Sequence, residues 1–176
     1  MIRFYRSESE RPVSAAPQLP ADIEIRLWRP GTDGLPFHRE ALARNLAWFA
    51  FTRLGLFANR EFAELSLWRD RRLLHRLVVT PRWLRFPFMD ADDLQIGDLW
   101  TAPQERGKGL ARAAIAAAHA RLGAPGRRFW YLADETNAAS VGLIESCDYS
   151  FIGTGRRTAP LGLRPVGSFR LDERPA

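Results

Sequence analysis

Cysteine is almost missing from this chain: Cys147 stands alone, so no intramolecular disulfide can form. Histidine is nearly as scarce, and His38, His75 and His119 lie too far apart to give a metal-ligand spacing, so no metal is expected. Lys108 is the only lysine, which leaves every other basic side chain an arginine. Long apolar runs are lacking too. The stretch from Leu42 to Leu56 is interrupted by Arg44, Asn45 and Arg53, too short and too polar to span a bilayer. The N-terminus has early arginines but no continuous apolar core, so it does not read as a secretory signal and a cytoplasmic location is expected.

What is present describes one soluble domain. The 176 residues are 46% hydrophobic and 26% charged, enough for a single packed core. A net charge of +6 and a pI near 10.6 ask for an anionic partner. Nucleic acid, an acidic membrane surface or a phosphorylated small molecule would each satisfy that charge. The arginines are scattered rather than gathered on one basic helix, and no nucleic-acid recognition motif accompanies them, so neither nucleic acid nor a membrane is expected as a partner.

Residues 7 to 22 are rich in Ser, Glu, Pro and Ala, so residues 1–21 read as a flexible leader before a single domain at 22–176. Ile23, Ile25 and Leu27 alternate with charged residues as a strand, and a turn-rich loop follows. Spacing over Phe37 to Phe57 predicts one or two helices, broken near Gly55. A hairpin runs from Phe62 to Trp68 and from Leu73 to Val79, closed by Pro81. Arg82 to Asp93 reads as an irregular loop or a short extra strand, and Leu94 to Thr101 as the next strand. Leu110 to Leu122 is an alanine-rich helix burying Ala111, Ile115, Ala118 and Leu122, with His119 on its exposed side. Phe129 to Ala133 is a strand, Asn137 to Cys147 a helix, and Tyr149 to Thr154 a strand with which Val166 to Leu171 pairs. That order gives an α/β (α+β) fold: a mixed, mostly antiparallel sheet of six to seven strands flanked by helices.

The most informative stretch is Thr101-Ala102-Pro103-Gln104-Glu105-Arg106-Gly107-Lys108-Gly109-Leu110-Ala111. A strand enters a turn that opens a helix, which aims backbone N–H groups and a helix N-terminus at one point. Gly107 and Gly109 would let a phosphate approach the backbone, with Arg106 and Lys108 at its rim. Lys108 is followed by Gly109 rather than Ser or Thr, which excludes a Walker loop, and the three-glycine dinucleotide fingerprint is not met. The bland alternative is a glycine turn before an ordinary helix.

Arg106-Gly107-Lys108-Gly109-Leu110-Ala111, three residues after Pro103, resembles the Arg/Gln-x-x-Gly-x-Gly/Ala motif of the GCN5-related N-acetyltransferases (GNAT). A second register, Gln104-x-x-Gly107-x-Gly109, also fits formally. Beyond an intervening strand, Asn137, Ser140 and Leu143 match the family's Asn-x-x-Ala/Ser-x-x-Leu helix. The resemblance spans about Leu94 to Ile152 and implies an acetyl-CoA site. The pyrophosphate would rest on Arg106, Gly107, Lys108, Gly109, Leu110 and Ala111, with Arg112 adding charge. The pantetheine arm would pair with Leu99, Trp100 and Thr101, between them and Asn137 and Ser140. The strands Leu94 to Thr101 and Phe129 to Ala133 would splay at the thioester, whose carbonyl the Leu99 N–H would polarise. Replacing Gly109 by a bulky β-branched residue is expected to abolish CoA binding with the fold intact.

The resemblance further implies acetyl transfer by direct attack of a primary amine on the thioester. A small molecule such as an amino sugar, amino acid or polyamine is the expected acceptor, with a protein N-terminus or lysine, or a binding module without catalysis, as alternatives. The position at which many members carry an acidic Tyr is Ile144, and the strand position of a frequent Glu base is Gln95. Cys147, one helical turn beyond Ile144, reads as a small buried core residue. Asp98, Asp93 and His75 are the candidate bases. Arg85, Phe86 and Phe88 are candidate walls of the acceptor pocket, where Arg85 could hold a carboxylate or phosphate, the alternative being a hydrophobic plug under a long loop. A monomer or homodimer is expected.

Overall fold

The computed structural model describes residues 1–8, 13, 17–33, 42–158 and 167–173. Its strands are β1 (Ile2–Glu8), β2 (Glu24–Trp28), β3 (Ala63–Arg69), β4 (Arg72–Pro81), β5 (Leu94–Thr101), β6 (Arg128–Asp134), β7 (Ser150–Arg157) and β8 (Phe169–Glu173). The described helices are α1 (Leu42–Arg53), α2 (Leu110–Leu122) and α3 (Ala138–Glu145). All eight strands join one sheet in the order β2-β3-β4-β5-β6-β1-β7-β8. Only β5 and β6 run parallel; every other neighbouring pair is antiparallel.

One strand was hidden from sequence reading. Residues 2–8 are no leader: β1 lies inside the sheet, paired with β6 on one side and β7 on the other. Burial on both faces holds it there. Phe4 meets Phe88 edge-on at 5.0 Å on one face, while Tyr5 joins the main core and donates its hydroxyl to Glu145 Oε1. Arg3 and Arg6 lie over the rings of Phe151 and Trp130, so their charged ends stay near water while aromatic surface is covered. Val13 reaches the same core and Leu19 packs on it, so the segment joining β1 to β2 also contributes to the domain.

The remaining elements follow their sequence signals. At the β3–β4 hairpin both turn residues, Asp70 and Arg71, have positive φ (48° and 64°), which matches the twist of paired strands. The segment 82–93 carries no helix or strand. The start of the expected Phe37 to Phe57 helix lies outside the described residues, and α1 stops at Arg53, before Gly55.

Period-two alternation gives the sheet two different faces. One carries Leu65, Leu77, Ile96 and Phe129 against Ala114, Ile115 and Ala118 of α2 and Ile144 of α3, the small alanines allowing the helix to sit close. On the other, Trp28, Phe62 and Val78 pack with Trp48 of α1, and beside them Phe86, Met89 and Trp130 pack with Trp83 and Phe169. His119 belongs to the first face, contrary to expectation. It lies one helical turn after Ile115, stacks on Phe129 at 4.0 Å and shares a 2.7 Å hydrogen bond with the Tyr149 hydroxyl.

Candidate active site

Where β5 ends, Pro103–Glu105 form a single 3-10 turn and the chain then opens α2. Gly107 and Gly109 both take left-handed backbone, φ 77° and 76°, which side-chain-bearing residues rarely adopt. The first intrahelical bond of α2 runs from the Ala113 N–H to the Gly109 carbonyl, so the helix uses no N–H from Leu110, Ala111 or Arg112. These groups border a cleft of about 490 Å³ whose wall also includes Arg106, Gly107 and, from α3, Ala139 and Leu143. The partial positive charge of a helix N-terminus and two guanidiniums suit it to a phosphate ester. Lys108 does not line the cleft: its ammonium pairs with Glu105 at 3.1 Å, and Glu105 also faces Arg69 at 3.9 Å.

From this cleft an open strand edge leads inward. Parallel pairing of β5 with β6 ends at Ile96 and Tyr131, so β6 leaves the facing edge of β5 from Gly97 to Thr101 unpaired. On its other edge β5 pairs with β4, but the register breaks: Val78 faces Gly97 while Arg76 faces Trp100. Asp98 and Leu99 therefore oppose the single residue Leu77, a β-bulge with Asp98 at φ 49°. The bulge resets the alternation, turning Leu99 to the α2 face, onto which Leu94 and Ile96 also pack.

A second cavity, about 230 Å³, opens on the opposite face at the bulge. Gly97, Asp98 and Gln95 of β5 form its floor with Val78 and Thr80 of β4, and its aromatic walls are Trp48, Trp83, Phe86 and Phe169. Arg85 lines it, its guanidinium 5.0 Å from the Trp83 ring centre. The Asp98 carboxylate, the only one on this lining among the described residues, is held by Arg76 at 2.8 Å. Gln95 donates its Nε2 to the Ile96 carbonyl.

The structure separates the remaining candidates from this cavity. Asp93, 1% exposed, accepts from Arg128 Nε at 3.0 Å and Trp130 Nε1 at 2.8 Å; it anchors the start of β5 rather than facing an acceptor. His75 is fully buried on the face of Leu77 and Val79, with Nδ1 2.8 Å from Thr101 Oγ1, opposite the aromatic cavity. Phe88 packs on Phe4 and Trp130 and is not among the lining residues. Asn137 caps α3 by accepting from the Ser140 N–H, and Ser140 Oγ bonds the Tyr131 hydroxyl at 2.8 Å; neither lines the phosphate cleft, nor do Leu99 and Trp100. Cys147 is fully buried and its thiol is pushed up to about 11 by burial, so it stays an inert thiol. Among the described residues no group of His, Cys, Asp or Glu could hold a metal, and no helix is long and apolar enough to cross a membrane.

Sequence reading missed Trp48, Leu132 and Phe169 as cavity residues, because they come from α1, β6 and β8 and meet only through the sheet. Ala139, Leu143 and Ser146 line the cleft, and the three- and four-residue steps between them were the available signal for one helix face.

Burial lowers His75 and His119 to about 4, the Arg76 charge adding to the effect at His75. An unfolded chain binds protons at these imidazoles from about pH 6.5 downward, whereas the folded chain does not until about pH 4. Their contribution to stability is complete above pH 6.5 and is lost as pH falls toward 4. Thermal unfolding should show Tm dropping across that window, with a flatter slope in His119→Phe; a Tm independent of pH there would contradict the buried neutral imidazoles.

A mixed sheet with a splayed parallel pair, a bulge at the splay and a cleft at the following helix has the shape and the donors that suit a phosphorylated extended ligand. Residues 62–149 match the model of the acetyltransferase (GNAT) family, and the chain belongs to that family, which uses acetyl-CoA as co-substrate. The fold is also that of a GCN5-related N-acetyltransferase-like protein from Streptococcus suis (15% identity, TM-score 0.51, covering 86% of this chain and 57% of that one). A GNAT-family acetyltransferase from Colwellia psychrerythraea is similar (16% identity, TM-score 0.51, 85% and 52% covered). So is a conserved protein of unknown function from Staphylococcus epidermidis (13% identity, TM-score 0.52, 85% and 57% covered). This chain thus spans little more than half the length of these structures. No curated protein matches it by sequence.

Proposed function

We propose that the chain is an acetyl-CoA-dependent N-acetyltransferase acting on a small-molecule amine. The observation that carries this reading is continuity along β5: its unpaired edge runs from Gly97 and Asp98, which line the aromatic cavity, to Thr101, which lines the phosphate cleft. The cleft N–H groups with Arg106 and Arg112 would hold the CoA pyrophosphate, and the β5 edge from Leu99 to Thr101 would pair with the pantetheine amides as an added strand. A bulge leaves backbone groups outside the ladder, which supports the Leu99 N–H as the donor to a thioester carbonyl. Acetyl-CoA supplies the acyl group: the amine nitrogen bonds to the carbonyl carbon, the carbon–sulfur bond breaks, and the amine gives up one proton as CoA leaves as a thiol.

Asp98 would receive the acceptor's ammonium at the cavity floor and take its first proton, leaving a neutral amine to attack; the second proton, lost as the amide forms, is the one the departing thiolate carries away. A cavity this small, below the roughly 300–1,000 Å³ of drug-sized sites, favours a small amine over a protein segment, which needs an open groove. Ile144, 0% exposed in the core, and Gln95, bonded to its own strand, favour a second reading, a CoA-binding module without turnover. Thiol release from acetyl-CoA across a panel of amines separates the two. Asp98→Asn should lower kcat/KM about 10²- to 10⁴-fold with CoA affinity unchanged; full activity in that variant would remove Asp98 from the chemistry.

A further inference from the structure

Charge builds on the CoA sulfur as it departs, and a hydrogen-bond donor placed there would stabilise it. On the sheet face that α2 and α3 cover, most hydroxyl and thiol protons are already committed. Tyr5 donates to Glu145 Oε1 and Ser146 Oγ to the Leu143 carbonyl, while Thr101 pairs with His75 and Tyr149 with His119. Cys147 is fully buried. Tyr131 and Ser140 differ: their oxygens lie 2.8 Å apart, two hydroxyls carry two protons, and the bond between them uses one. Among the described residues neither hydroxyl has a further partner.

Position makes that spare proton useful. Tyr131 is the last residue of β6 paired with β5, opposite Ile96, so it stands where the two strands part. It is buried in the core, whereas Ser140, in the first turn of α3, is half-buried. The phenol therefore donates to Ser140 Oγ, and the Ser140 proton is the one left to face outward. Ala139 and Leu143 on the same helix line the phosphate cleft, and the unpaired β5 edge leads from that cleft to the splay. Burial raises the Tyr131 pKa, so the phenol keeps its proton and goes on donating.

We propose that the Ser140 hydroxyl, held in place by Tyr131, donates a hydrogen bond to the CoA sulfur as the carbon–sulfur bond breaks. Ser140 is then a catalytic residue and Tyr131 a positioning residue. A thioester sulfur accepts weakly and a thiolate strongly, so the bond tightens only as charge develops. The electron pair of the broken bond passes to sulfur, both hydroxyl protons stay on oxygen, and the thiolate takes the proton that nitrogen sheds as the amide forms. This role rests on the acetyl-CoA reading, but the donor can be tested without turnover.

The test titrates the thiol of CoA bound to the purified protein, read by the ultraviolet absorbance of the thiolate. A donor to the charged form favours it, so bound CoA should ionise about one pH unit lower on the parent protein than on Ser140→Ala. Ser140→Thr should keep most of that difference, and Tyr131→Phe should lose part of it. With an amine that supports turnover, Ser140→Ala should lower kcat about 10²- to 10³-fold, with KM for acetyl-CoA within about threefold. Tyr131→Phe should cost about 10-fold, and the double variant should be no worse than Ser140→Ala. Should Ser140→Ala not fold, Tyr131→Phe measured by the same titration decides. The same thiol ionisation on the parent protein and Ser140→Ala, or an undiminished kcat in that variant, would overturn the proposal. A lowered thiol pKa with no thiol release on any amine would sink the transferase reading and leave this donor standing. Amine-dependent release with a titration that Ser140→Ala does not move would do the reverse, and CoA that does not bind would overturn both.

Discussion

Removal of residues 1–8 is expected to abolish cooperative unfolding of the domain. β1 is hydrogen-bonded along both edges, to β6 and to β7, so its loss exposes two strand edges and detaches β7 and β8 from the rest of the sheet. It also removes Phe4 and Tyr5, 0% and 1% exposed, from two opposite packing layers. Phe4→Ala alone should cost about 3–5 kcal/mol. A domain of this size has about 5–15 kcal/mol in total, so the full deletion exceeds what it can lose. Circular dichroism with urea titration reads both. A truncated chain with a sharp transition near the parent midpoint would show that β1 only decorates the sheet.

A second large effect belongs to the phosphate cleft. Gly107→Val should weaken CoA binding by 100-fold or more, because a β-branched residue resists φ near 77° and its side chain would project into the cleft. A Cβ at Gly107 meets no atom within 4 Å, so the loss would come from strain and obstruction at the cleft rather than from disturbed packing. Gly109 is a poorer test than its place in the motif suggests. A Cβ there lies 2.7 Å from Pro17 Cγ, so substitution pushes on the segment that follows β1 as well as on the phosphate site. Calorimetry with CoA, beside a denaturation curve for each variant, distinguishes lost binding from lost fold; unchanged CoA affinity in Gly107→Val would remove this loop from the account.

The parts of the fold that were legible in the sequence are those set by local rules. β5 and α2 fall at their expected residues, because alternation, Pro103 and the alanine run act within a few positions. β1 was not legible. Its partners lie more than a hundred residues away, and its two arginines hide a buried strand behind cation and aromatic contacts that no local pattern reveals. His119 was misplaced because one polar residue on an apolar stripe looks solvent-facing until Phe129 and Tyr149 are brought beneath it. The position of Arg106, Gly107 and Gly109 at the opening of α2 was legible, because a strand entering a glycine turn before a helix is a local pattern. Of the aromatic cavity only Arg85 and Phe86 were named in advance, since Trp48 and Phe169 join them only through tertiary structure. Asp98 lies between the two cases: it sits on the strand read from the sequence, and the register break between Arg76 and Val78 re-aims the residue.

The most direct test of the account is acetyl transfer itself. Purified protein is mixed with acetyl-CoA and a panel of amines that includes amino acids, amino sugars and polyamines, and free thiol and N-acetylated product are quantified together. Thiol and amide should appear in equal amounts, only when a suitable amine is present, and both should fall in Asp98→Asn. Tight acetyl-CoA binding with no amine-dependent thiol release would contradict the assignment and leave a binding module in its place.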